Sequence, residues 1–101
     1  MKKKILICDS IASSGLKMLK KNFSVSVQPG LSEADIVKVI PDFHALIVRS
    51  QTKVTARVIK AAKSLKIIAR AGIGVDNIDV GAATAAGIVV VNAPRANTLA
   101  A

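Results

Sequence analysis

The residues best placed to do chemistry in this 101-residue sequence sit in two short segments. Arg49-Ser50 closes the apolar run Ala45-Leu46-Ile47-Val48. Gly72-Ile73-Gly74 closes a second run that starts at Leu65 and ends in Arg70-Ala71. Around them stand Asp9-Ser10, Gln28 and the stretch from Asn92 to Asn97. A fixed cation, a hydroxyl, main-chain N–H groups at two glycines and several amides suit a small carboxylate or phosphate. An arginine at a strand tip can hold such a group through two parallel N–H bonds, which lysine cannot. Two readings of Arg49 stand at this point: an anion ligand, or a surface arginine paired with Asp9 or Asp76. The glycine pair reads either as an anion-accepting turn ahead of a helix opened by Asp76-Asn77, or as a close turn and nothing more.

Other chemistry is poorly served. As a dinucleotide fingerprint, Gly72-Ile73-Gly74-Val75-Asp76-Asn77 has Asn77 in place of the third glycine. It also follows the fourth strand instead of the first, and no acidic residue is suitably placed on a following strand. His44 is the only histidine and has no cysteine or carboxylate cluster beside it, so no metal site is expected. Neither a Ser-His-Asp order nor a Gly-x-Ser-x-Gly elbow occurs. The lone Cys8 lies within an apolar run and reads as a buried bystander. No catalytic residue is expected in the chain.

The elements that must position these groups follow from the apolar periodicity. Lys4 to Asp9 is a buried strand, and a helix capped by Ser13 or Ser14 carries Leu16 and Leu19. Phe23 to Val27 alternates as a half-buried edge strand. Ser32, Glu33 and Asp35 open a second helix that Pro41 stops. Ala45 to Val48 is the third strand, and Thr52 to Thr55 leads into a third helix with Val58, Ile59 and Ala62. Leu65 to Ala71 is the fourth strand, Ile78 to Ala86 a helix ended by Gly87, and Ile88 to Val91 the fifth strand, broken by Asn92-Ala93-Pro94. Asn97-Thr98 reads as the cap of a further helix. Regular alternation with short connections predicts an α/β fold: a flavodoxin-like, doubly wound, five-stranded parallel sheet in the order 2-1-3-4-5, as a single domain over 1–101. The fifth helix is truncated, so one sheet face is expected to be uncovered, favouring a homodimer or a swapped oligomer. A phosphorelay receiver on this fold would place an aspartate where Arg49 stands, and a flavin-binding protein would want aromatics, of which only Phe23 and Phe43 exist.

The formal charge of +9 raises nucleic acid as a partner. Yet the lysines are spread along helix positions that face solvent (Lys17, Lys20, Lys21, Lys38, Lys60, Lys63 and Lys66), and strand aromatics for base stacking are missing. No apolar run approaches a bilayer span. Asp9 interrupts the N-terminal apolar segment too early for a secretory signal. The expectation is a cytoplasmic protein that binds neither nucleic acid nor membrane.

Several segments taken together resemble one family. Leu46-Ile47-Val48-Arg49-Ser50-Gln51-Thr52-Lys53-Val54-Thr55, Ile67 to Asp79, Ala82-Ala83-Thr84 and Gly87 to Pro94 are similar to the start of the NAD-dependent D-2-hydroxyacid dehydrogenases, in their 3-phosphoglycerate-oxidising branch. The resemblance covers essentially the whole chain. It implies an incomplete substrate-binding, or lid, domain whose NAD-binding domain is absent. It implies that Arg49, Ser50 and Asn97 face a small anionic 2-hydroxy acid such as 3-phosphoglycerate. The Gly72-Ile73-Gly74 backbone would lie against the substrate carboxylate, with Ile73 at the cofactor edge of the cleft. Gln51 stands where some members have a second arginine, and Ile73 where some have a threonine, so those side-chain contacts do not carry over. The catalytic histidine and the glycine-rich NAD loop belong to parts of the family outside this sequence. The chain alone is therefore expected to be inactive and to bind no cofactor tightly. The alternative is a flavodoxin-like module, truncated or engineered, that mainly self-associates.

Overall fold

Parallel strands need crossovers that cover the sheet, and each of the first four strands here is followed by a short helix that supplies one. The computed structural model describes residues 3–9, 13–71 and 76–93. In chain order the elements are β1 (Lys4–Ile7), α1 (Ser13–Asn22), β2 (Ser24–Val27), α2 (Glu33–Val39), β3 (Ala45–Val48), α3 (Ala56–Ala61), β4 (Ile67–Ala71), α4 (Val80–Ala85) and β5 (Val89–Ala93). The five strands form one all-parallel sheet in the order β2-β1-β3-β4-β5, as the alternation predicts.

Local chemistry explains the boundaries. Ser32 caps α2 by accepting from the Asp35 N–H, and Pro41 falls in the 3₁₀ turn Ile40–Asp42 that ends this helix. Thr55 caps α3 through the Val58 N–H. Gly87 takes φ +76 after α4, the left-handed conformation that closes a helix. Two expectations are corrected. The fourth helix does not open at Asp76-Asn77 or Ile78: Asp79 is its cap, accepting from the Ala82 N–H at 3.0 Å, while Asp76 and Asn77 are turn and Ile78 forms a β-bridge with Val54. Asn92 and Ala93 do not break the fifth strand but extend it, in register with Arg70 and Ala71. Parallel ladder bonds to β4 outweigh the turn preference of asparagine there. The helix expected at Asn97-Thr98 lies outside the described residues.

Strand alternation sorts the core into two layers. Leu6, Leu46 and Ile68 point to one face, where Ile36, Val58, Ile59 and Ala83 from α2, α3 and α4 seal them. Ile5, Ile7, Ile47 and Ala69 point to the other, packed against Leu16 and Leu19 of α1. α1 covers only part of this second face. Along the register Ile5–Ala45–Ile67–Val89, burial falls from Ile5, 4 % exposed, to Val89, 58 % exposed. An apolar groove of about 380 Å³ runs there past Leu19, Phe23, Ala45 and Ala69. No helix among the described residues is long and apolar enough to cross a membrane.

Candidate functional site

In an open parallel sheet the strand tips meet at the carboxyl rim, where the connecting loops diverge and leave room for a ligand. Residue 9 follows β1, residues 49–52 follow β3, and residues 76–79 return from β4. Asp9 is 4 % exposed, and its carboxylate is held by donors from the loop after β3. Oδ2 accepts the Arg49 N–H at 2.6 Å and the Thr52 N–H at 3.2 Å, while Oδ1 accepts the Thr52 hydroxyl at 2.6 Å. A buried carboxylate needs such compensation, and three donors supply it. Thr52 is buried as well, whereas Arg49, Ser50 and Gln51 are exposed. The loop is thus fixed from beneath and presents three residues to solvent, around a hollow of about 130 Å³ lined by Asp9, Arg49, Ser50 and Gln51.

From the side, Asn77 closes the same loop. Its Nδ2 donates to the Arg49 and Thr52 carbonyls, both at 2.6 Å. Two carbonyl acceptors settle which way the amide points, because the reverse orientation would set oxygen against oxygen. The Asn77 main chain is anchored in turn. Its carbonyl accepts the Val54 N–H at 2.9 Å, and the Asp79 N–H donates to Val54 at 2.9 Å across a parallel bridge of Val54 with Ile78. One residue earlier, exposed Asp76 pairs at 3.5 Å with Arg70, itself 7 % exposed at the end of β4.

Asp76 pairs with Arg70, and Asp9 accepts the main-chain N–H of Arg49. Gln28, grouped with the rim, donates its Nε2 to Ser26 on the edge strand at 2.8 Å. Gly72, Ile73, Gly74 and Asn97, with the cofactor-edge role of Ile73, lie outside the described residues, as does Ser10. Sequence reasoning had Asp9 at the rim but as part of an anion-holding set. It gave Thr52, Asn77 and Arg70 no part in the site. The available signal was placement: a carboxylate directly after a fully buried strand must find donors, and the nearest ones are the N–H groups of the adjacent strand's loop.

His44, on the opposite rim, accepts the Lys4 N–H at Nδ1, 3.0 Å. Burial, with Asp9 beside it, pushes the Cys8 thiol up to about 12. Among the described residues no cluster of His, Cys, Asp or Glu is gathered to hold a metal.

Comparison with known proteins shows the chain to be similar in sequence and fold to dehydrogenases. The chain is 55 % identical over 98 residues to D-3-phosphoglycerate dehydrogenase of Synechocystis sp., covering 97 % of this chain and 18 % of that protein. It is 52 % identical over 97 residues to the enzyme of the same name from Archaeoglobus fulgidus, covering 95 % and 18 %. The chain thus spans about a fifth of the length of these relatives. Among solved structures, the PH0520 protein of Pyrococcus horikoshii superposes with a TM-score of 0.88 at 34 % identity, over 91 % of this chain and 28 % of that one. An NAD+-bound 3-phosphoglycerate dehydrogenase of Entamoeba histolytica gives 0.81 at 32 % identity, over 91 % and 33 %. The model of the D-isomer specific 2-hydroxyacid dehydrogenase catalytic domain matches residues 5–101, and the chain belongs to that family.

Proposed function

We propose that this chain is the substrate-binding part of an NAD-dependent D-3-phosphoglycerate dehydrogenase, which oxidises 3-phosphoglycerate on the route to serine in the cytoplasm. One observation carries the reading: the Arg49-Ser50 turn stands exposed at the carboxyl rim on a main chain fixed by Asp9 and Asn77. The names of the relatives support the substrate. Arg49 supplies a planar, permanently charged fork for a phosphate or carboxylate, and Ser50 a hydroxyl. Gly72, Ile73 and Gly74 offer backbone against the substrate carboxylate, with Ile73 toward the cofactor, and Asn97 faces the substrate from the chain's last residues.

NAD, when bound in the whole enzyme, supplies the acceptor for the hydride. The described residues of this chain do not fit it. In a dinucleotide-binding sheet a glycine-rich loop after the first strand cradles the pyrophosphate, and here β1 is followed by Asp9-Ser10-Ile11-Ala12, which holds no glycine. We therefore assign NAD and the catalytic acid–base groups to a nucleotide-binding domain outside these 101 residues. Residues 1–101 then form one incomplete lid domain, without catalytic activity of its own. Fusing the chain to the nucleotide-binding domain of the Synechocystis relative tests this. The chimera should reduce NAD+ with 3-phosphoglycerate, and Arg49→Ala should raise KM at least about tenfold, the equivalent of one charge-assisted contact. An unchanged KM would remove Arg49 from the site.

One observation favours a second reading, self-association of the chain. The groove beside α1 and the exposed Val89 leave apolar surface that a second copy could cover. A monodisperse monomer in analytical ultracentrifugation would dismiss it.

A further inference from the structure

We propose that Asp9, Thr52 and Asn77 are positioning residues: they clamp the 49–52 loop so that Arg49 and Ser50 meet the anion already in place, and they lock that loop to the segment 76–79. The inference rests on the substrate reading above and adds to it the groups that set the geometry of the site.

The hydrogen bonds of the clamp end on residues 49 and 52, the two ends of the loop. Asp9 takes the N–H groups of both ends, and Asn77 takes the carbonyls of both ends. A four-residue loop whose terminal peptide groups are all engaged has little freedom left in the two residues between. The grip comes from two different strand connections, one after β1 and one after β4, so the loop is referred to the sheet on both sides. Asn77 is itself rooted in the core, since the bridge beside it uses Val54 and Ile78, 1 % and 6 % exposed. One residue before it, Asp76 ties back to Arg70 across residues 72–75. Asp76, Asn77 and Ile78 are therefore held in succession, and Asn77 joins the arginine loop to them.

Function follows from preorganisation. A long exposed arginine loses rotamer freedom on binding, and a mobile backbone would add its own ordering cost to every binding event. Clamping removes the second cost before the anion arrives.

The test uses the full 101-residue chain, with 3-phosphoglycerate as the probe and amide hydrogen exchange as the second readout. Asn77→Ala should lower affinity at least tenfold and raise exchange over residues 49–53 at least tenfold, while exchange at Leu6 and Ile68 stays unchanged. Thr52→Val, which keeps the shape and loses the hydroxyl, should do the same to a smaller degree, and Thr52→Ser should restore both. Unaltered exchange at 49–53 in Asn77→Ala would overturn the clamp. Faster exchange with wild-type affinity would overturn its role in binding. If the unmodified chain gives no saturable binding, the substrate reading fails, and exchange still decides whether the loop is clamped.

Discussion

The two rims of the sheet are built on different terms. At the amino rim the entries to the strands are closed by main-chain bonds: Ser24 N–H to Lys3, His44 N–H to Lys4, Lys66 N–H to His44 and Val89 N–H to Lys66, at 2.8 to 3.0 Å. The lysines there are exposed, and only His44 adds a side-chain bond. At the carboxyl rim stand the three buried polar or charged residues among those described, Asp9, Thr52 and Arg70. The amino rim demonstrates that this fold can close without burying a charge. Desolvating a carboxylate and a guanidinium at the other rim is costly, and what it achieves is a fixed main chain beneath exposed Arg49 and Ser50. Site and scaffold are separable on this ground.

The largest expected effect breaks the carboxyl rim. Asp9→Ala leaves two N–H groups and a hydroxyl without their acceptor. At about 1 to 3 kcal/mol per orphaned buried donor, it should cost about 3 kcal/mol, read from the urea midpoint. A loss below about 1 kcal/mol would mean that water replaces the carboxylate freely. Cys8 sharpens the same point from inside. With its thiol raised to about 12 by burial and by Asp9, iodoacetamide at pH 8 should alkylate the folded chain at least about 100-fold more slowly than the unfolded one. Equal rates would show that the tip of β1 opens readily. At the amino rim, His44→Ala should change stability by no more than about 0.5 kcal/mol, because one exposed bond is lost and water can replace it. A cost like that of Asp9→Ala would erase the contrast between rims.

The smallest effect lies at the surface. The Thr55 hydroxyl first, then Arg57, hold the Glu33 carboxyl below its ordinary value. A carboxyl whose folded value is depressed stabilises above its unfolded value and loses that contribution as pH falls through the folded one. Glu33→Gln should therefore flatten stability slightly between about pH 5 and pH 3, less so at high salt. A parallel shift at all pH values would refute this assignment.

Much of the fold was legible because the apolar runs are short, continuous and bordered by caps. Ser32, Thr55 and Gly87 mark helix ends by local chemistry alone, and the even alternation leaves little choice of topology. The place of Arg49-Ser50 at the carboxyl rim was legible because a strand tip is a fixed place in such a sheet. The partners of the loop were not. Asp9, Asn77 and Arg49 are 28 to 68 residues apart in sequence, with the separations 77 − 49 and 77 − 9, and their meeting depends on the register of β1, β3 and β4. The extension of β5 through Asn92 and Ala93 was hidden for a similar reason, since ladder bonds from β4 overrode a local turn signal.

The central claim is that the carboxyl rim, and not the general positive charge, receives the anion. Titration of the ¹⁵N-labelled chain with 3-phosphoglycerate tests it directly. Saturable amide shifts centred on residues 49–52, absent with glycerol and lost in Arg49→Ala, are the expected result. Shifts confined to Lys3, Lys4 and Lys66 at the amino rim, or spread evenly over the lysines, would contradict it.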